Sequence, residues 1–201
     1  MGSSMKAKKQ SEAAKPERPT RADAQRNYDH LLAIAREVVA EQGTEASLRD
    51  VARRAGVGLG TLYRHFPTRD ALLEALLRAR FDALAESARA LEHAADPYEA
   101  LVTWIGELAA GAATYRGLSS AMIATLSDES SSLHASCAAM RKRGGRLLSR
   151  AQREGLIRAD VDGLDLFAMV TAVSSLVDQS EMLSARRQHF LQLLMDGFKQ
   201  R

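Results

Sequence analysis

Residues Ser47 to Leu72 read SLRDVARRAGVGLGTLYRHFPTRDAL, and three positions in this stretch decide the fold. Ser47 with Asp50 three residues on has capping-box spacing, and Leu48, Val51, Ala52 and Ala55 follow at i, i+3, i+4 and i+7, so a short helix is expected here. Gly56 and Gly58 end it after a few turns. Leu59 to Phe66 forms a second helix of about two turns, closed by Pro67, because the residue before a proline is pushed out of the helical region. Ala52 is small enough for two helices to cross closely, Gly56 can take the left-handed conformation, and Leu62 packs back under the pair. On spacing alone this is either a DNA-binding helix-turn-helix, whose second helix lies in the major groove, or an ordinary αα-hairpin.

Helical signals continue on both sides. Thr20 and Asp23 have capping-box spacing, and Leu31, Leu32, Ala35, Val38 and Val39 are periodic up to Gly43. Downstream, Thr68 caps a long helix carrying Leu72, Leu73, Leu76, Leu77, Phe81 and Leu84 to about Leu91. Asp96 and Pro97 open the next, with Leu101, Trp104, Leu108 and Tyr115. A short helix is expected within Leu118 to Leu126, then a Ser-rich joint over Ser127 to Ser132. The following helix carries a stripe of Leu133, Cys137, Met140, Gly144, Leu147 and Ala151 and stops near Gly155. Two last helices cover about Leu164 to Leu183 and Ala185 to Lys199. With no internal repeat and no β-branched alternation, the fold class is all-α. The organisation expected is a basic disordered tail over 1–20, a helix-turn-helix unit over 21–67 and a helical body over 68–201.

The composition, 46% hydrophobic and 26% charged over 201 residues, is globular and excludes a wholly disordered chain. One cysteine, Cys137, cannot form an internal disulfide and excludes paired-thiol zinc sites. The longest uncharged apolar run, Leu166 to Val177, is shorter than the ~20 residues that span a bilayer, so no membrane helix is expected. The first twenty residues lack an apolar core, so no secretory leader is expected either, and the cytoplasm is the anticipated location. Residues 1–70 hold 13 Lys or Arg against 9 Asp or Glu, a balance of +4, whereas the remainder holds 15 against 16, a balance of −1. An excess of positive charge confined to one end suits a segment that faces nucleic acid, or else a basic disordered tail.

The text GVGLGTLYRHFPTRDAL from Gly56 to Leu72, following SLRDVARRA, resembles the TetR family of bacterial transcriptional regulators. The resemblance covers about Asn27 to Leu77. It implies an N-terminal three-helix DNA-binding domain with a helix-turn-helix, a connecting fourth helix, and a larger helical domain for ligand binding and dimerisation. By position it assigns Ser47 to cap the second helix and touch phosphate, and Thr61, Tyr63 and His65 to the recognition helix, with Tyr63 and His65 at phosphates. Gly60 allows close approach to a base edge, and Arg69 at the start of the fourth helix holds the DNA backbone. Arg49 and Thr61 are the candidates for base reading, since an Arg fork can bridge two acceptors on guanine. The chain departs from the family's usual polar or small residues at Leu59 and Gly58. Leu59 can instead contact a thymine methyl, while the tail, with Lys6, Lys8, Lys9, Lys15 and Arg18, either lies along the duplex or stays disordered.

Other chemistry is not expected. Gly56, Gly58 and Gly60 follow a helix, whereas a dinucleotide fingerprint follows a strand. Asp160, Asp162 and Asp165 lack the spacing of a calcium loop and read as a helix cap. The five histidines, His30, His65, His93, His134 and His189, form no i, i+4 pair, so no metal and no cofactor is anticipated, and Cys137 on an apolar stripe reads as core.

In relatives the body helices line a pocket, which implicates Trp104, Tyr115, Met122, Cys137, Met140, Phe167 and Thr171, with Arg141 or His134 as polar anchors for a small-molecule effector. Each of these can equally be packing. The helix from Leu164 is apolar almost all round, so one face needs a second partner. A symmetric copy meeting through Met169, Val173, Leu176, Phe190, Leu194 and Phe198 forms a four-helix interface, with Ala172, Ser174 and Ser175 permitting close crossing. The reading is therefore a homodimeric regulator of double-stranded operator DNA, a repressor released by its effector and not an enzyme. The rival is a helical small-molecule carrier or enzyme whose N-terminal hairpin is only structural.

Overall fold

The chain's first helix starts where its cap lies. In a computed structural model, which describes residues 20–114, 128–177 and 180–200, Thr20 Oγ1 accepts from the Asp23 N–H at 3.2 Å and Asp23 Oδ2 accepts from the Thr20 N–H at 3.0 Å. This capping box satisfies two donors that a helix start leaves free and begins α1, Arg21–Gln42. Its buried stripe is Leu31, Leu32, Ala35, Val38 and Val39. Gly43, at φ 73°, turns the chain into a short 3₁₀ segment, Gly43–Glu45.

Next come α2, Leu48–Arg54, and α3, Leu59–His65, separated by Ala55 to Gly58. Gly56 sits at φ 67°, and the Val57 N–H reaches back to the Ala52 carbonyl at 3.0 Å, which closes α2 with a Schellman turn. Ser47 stands at the N-cap position of α2, but its side chain makes no capping bond. Gln42 reaches the would-be capping partner Asp50 at 3.2 Å, and Arg53 pairs with the same carboxylate at 3.1 Å, so the capping box expected there does not form.

Thr68 caps α4, Arg69–Leu91, by accepting from the Ala71 N–H at 3.0 Å. Along α4, Leu72, Ala75, Leu76, Leu77, Phe81, Leu84 and Ala88 are buried. Asp96 Oδ1 accepts from the Tyr98 and Glu99 amides at 2.8 and 3.1 Å and starts α5, Pro97–Thr114. Ser131 caps α6, Ser132–Arg153, whose stripe Leu133, Cys137, Met140, Gly144, Leu147 and Ala151 is buried throughout. A second Schellman turn at Gly155, φ 68°, ends it, with the Leu156 N–H on the Ala151 carbonyl at 3.0 Å.

Asp162 and Asp165 form the cap of α7, Gly163–Val177: Asp162 Oδ1 accepts from the Leu164 and Asp165 amides, both at 2.8 Å. The single helix expected from Leu164 to Leu183 does not continue, because Ser180 is extended at φ −152° before α8, Glu181–Ser184. The last helix, α9, is Arg187–Phe198. An isolated bridge between Ile157 and Lys199 ties the end of the chain to the α6–α7 loop, and no strand is present among the described residues.

α4 packs most extensively on α6 and also meets α1 and α5. A single buried apolar cluster accordingly runs from Leu31 in α1 through α4 to Phe198 in α9. No helix among the described residues is long and apolar enough to cross a membrane. The expected helix within Leu118 to Leu126, the tail before Thr20, and Tyr115 and Met122 lie outside the described residues.

Candidate nucleic-acid interface

A two-turn helix can bury only one side chain per turn and still leave a face free. In α3 that side chain is Leu62, fully buried in the core cluster that also holds Val51 and Ala52 of α2, with Leu59 partly buried against the same cluster. The opposite face presents Gly60, Tyr63 and Arg64 to solvent, with Thr61 half-buried at its edge. Tyr63 is 45% exposed although large and aromatic, which places a phenol hydroxyl at the surface. His65 is half-buried because its ring stands 5.9 Å from Tyr28 and 6.2 Å from Phe66, so α1 fixes its orientation.

Ser47 and Arg49, at the start of α2, and Arg69, at the start of α4, are exposed as well. The Ser47 hydroxyl is free of capping, and Arg49 has no ion pair among the described residues. Arg69 pairs with Glu45 at 2.5 Å, an exposed contact of the kind worth at most about 1 kcal/mol. Nearby acids are already engaged. Gln42, then Arg53, holds the Asp50 carboxyl below its ordinary value, and Arg54, in a two-point contact at 2.6 and 2.8 Å, does the same to Glu41. Negative charge beside the face is thereby partly neutralised.

Two participants escaped the sequence reading. Arg64 donates to Thr61 Oγ1 at 3.0 Å, so the base-reading candidate has a cationic neighbour on its own helix; the i, i+3 spacing carried that signal. Glu45 meets Arg69 across 24 positions, and no local pattern marks such a pair.

In the body, Trp104, Cys137, Met140, Phe167 and Thr171 are all buried on α5, α6 and α7. The polar edges of two are committed to backbone: Trp104 Nε1–H donates to the Leu84 carbonyl at 3.0 Å and the Thr171 hydroxyl to the Phe167 carbonyl at 2.6 Å. Burial pushes the Cys137 thiol up, against the pull of the Arg141 guanidinium. Arg141 Nε, His134 Nδ1 and Ser174 Oγ are buried without a hydrogen-bond partner among the described residues. Ser174 was expected only as a small crossing residue; it points inward, whereas Ala172 points outward.

The outer face of α7 is apolar and uncovered, with Met169 46% and Leu176 53% exposed and Val173 half-buried between them. On α9, Phe190 is half-buried and Leu193 is 55% exposed. Leu194 and Phe198 turn the other way and are buried against the chain's own core. The helical step of about 100° per residue puts Leu193 where the sequence reading had its neighbour Leu194.

Residues 31–76 match a family model described as bacterial regulatory proteins, tetR family, and residues 96–200 match one described as transcriptional regulator SbtR-like, C-terminal domain. The crystal structure of a TetR transcriptional regulator from Streptomyces coelicolor is 32% identical, aligns over 86% of this chain and 98% of that chain, and has a TM-score of 0.67. A TetR transcription regulatory protein from Mycobacterium vanbaalenii is 34% identical over 89% of this chain and 98% of its own, with a TM-score of 0.62. The HTH-type transcriptional repressor KstR of Mycolicibacterium smegmatis is 40% identical over 85 residues, 41% of this chain and 40% of that repressor. The chain spans between 37% and 42% of the lengths of the curated relatives it matches.

Proposed function

The chain belongs to the TetR family of bacterial regulatory proteins, and from that membership we propose that it is a homodimeric repressor which binds a two-fold operator through α3 and leaves it when a small molecule enters the body. It is a transcriptional regulator and, on this reading, a cytoplasmic one with no catalytic function. The observation that carries the proposal is the geometry of α3. Leu62 anchors it, and Gly60, Thr61, Tyr63 and Arg64 stand together on or beside its outer face. Tyr63, His65, Ser47 and Arg69 meet phosphates, while Arg49 and Thr61 read base edges where Gly60 permits close approach.

Two such helices must stand about 34 Å apart to reach successive major grooves, which a symmetric pair joined through Met169, Val173, Leu176, Phe190 and Leu193 supplies. α4 is the lever between the two ends. Arg78 on α4 donates to the Tyr28 hydroxyl of α1 at 3.3 Å, and the Leu84 carbonyl holds Trp104 of α5 at 3.0 Å. The effector acts by binding better to the state whose recognition helices are wrongly spaced; equal affinity for both states shifts nothing. Cys137, Phe167 and Thr171 wall its site, with Arg141 and His134 as anchors, because Arg141 Nε and His134 Nδ1 are buried without a hydrogen-bond partner among the described residues.

The test is retention of the promoter fragment upstream of the protein's own coding region at low salt against nonspecific competitor. Tyr63→Ala with Arg69→Ala is expected to abolish retention and leave helical content and dimer mass intact. Retention that survives the double substitution, or binding that competitor erases in the wild type, refutes the proposal.

A further inference from the structure

Beyond the apolar interior, the body carries an open groove of about 820 Å³ between the end of α4, one face of α6 and the loop before α7. Its floor is a stripe of α6 on which Lys142, Arg146, Arg150 and Arg153 recur at helical spacing. Facing them are two carboxylates, Glu92 just beyond α4 and Asp162 before α7. Both are engaged. Glu92 accepts from Arg143 and Arg146 at 3.1 and 3.2 Å, and Asp162 caps α7. Arg150 donates to the Glu92 carbonyl at 3.1 Å, which leaves Lys142 and Arg153 exposed with no carboxylate partner among the described residues.

A stripe of four cations against two occupied acids attracts more than one negative charge, and the volume falls within the ~300–1,000 Å³ usual for small-molecule sites. Duplex DNA is the less fitting occupant. α4 is 23 residues long, so at ~1.5 Å per residue the groove stands roughly 34 Å along the helix from the recognition end. We propose that the groove binds a small polyanion carrying phosphate, and that the ligand draws Arg146 away from Glu92. Since the Arg146–Glu92 pair is one of the contacts by which α6 holds the end of α4, the bound anion loosens the distal end of the helix that follows α3. This site does not depend on the effector site proposed for the interior.

Calorimetric titration of the intact protein with sodium pyrophosphate, and separately with ADP, tests both parts. Saturable binding is expected, weakened about tenfold in Lys142→Ala with Arg153→Ala. In Glu92→Gln, where no carboxylate competes for Arg146, binding is expected to tighten about threefold. Equal affinities for the two probes identify phosphate alone as the recognised group, and tighter ADP binding identifies a nucleotide; either supports the site. Absence of saturable binding, or unchanged affinity in the double variant, overturns the site, and unchanged affinity in Glu92→Gln overturns the exchange.

Discussion

Gly144→Ala places one methyl group against the ring of Trp104. Gly144 lies buried in the middle of α6, and a Cβ built there overlaps Cη2 of Trp104 and lies 2.6 Å from Cζ2 and Cζ3. Carbon contacts are comfortable at ~3.5–4.0 Å, so the ring has to move, and moving it breaks the bond from Nε1 to the Leu84 carbonyl. Overpacking of this kind costs about 1–3 kcal/mol and the lost hydrogen bond about 1 more, while replacing a mid-helix glycine returns roughly 1. The net expectation is a destabilisation of about 1–3 kcal/mol, which at ~2–4 °C per kcal/mol for a chain of this size is visible in a thermal melt. Gly145→Ala is the internal control, because its Cβ meets nothing within 4 Å and the substitution should stabilise by up to about 1 kcal/mol. Trp104 is the single tryptophan, so intrinsic fluorescence reads the displaced ring directly. If Gly144→Ala is as stable as Gly145→Ala, or leaves the emission unchanged, the reasoning is wrong.

Three further expectations follow the same logic. Gly56→Ala introduces no clash, yet forces an L-residue to φ 67°, so it should cost about 1–2 kcal/mol and be read in denaturant melts as a shifted midpoint with unchanged slope. Leu176→Asp, at the C-terminal end of the uncovered α7 face, should leave helical ellipticity intact and yield a monomer by sedimentation; an unchanged dimer refutes the interface. The hydrogen bond from Arg143, and then that from Arg146, holds the Glu92 carboxyl below its ordinary value against the opposing effect of burial. Its contribution to stability is therefore full above the ordinary carboxylate pKa and is lost as pH falls through the lowered one. Melting temperatures of the wild type and Glu92→Gln should differ near neutral pH and converge in acid; a gap that persists in acid removes the carboxylate from the explanation.

Local signals were legible wherever a residue acts within one helical turn of itself. Thr20 with Asp23, Thr68, Asp96, Asp162 with Asp165, and the left-handed glycines Gly56 and Gly155 mark helix ends by spacing alone, because caps and turns are satisfied within three or four residues. Even there the outcome can shift when a distant donor competes. Ser47 and Asp50 have the spacing of a cap, and Gln42 takes the carboxylate instead. The extended Ser180 was likewise missed, because periodicity carried the apolar run ending at Val177 on into a polar stretch as continuous helix.

By itself, then, the order of residues determined the all-α class, the helix-turn-helix spacing over 47–66 and the amphipathic stripe of α6, since each depends on backbone propensity and on the 3.6-residue period, while the assignments on α3 rested on the resemblance to the TetR family. Tertiary structure alone decided which groups meet across long separations: Glu45 with Arg69, Trp104 seated on Gly144, Glu92 gripped by Arg143 and Arg146. It also decided that Leu193 and not Leu194 faces outward on α9. The physical reason is that such pairings depend on how whole helices cross, and small changes in crossing angle or axial rotation redirect a side chain without altering any local pattern.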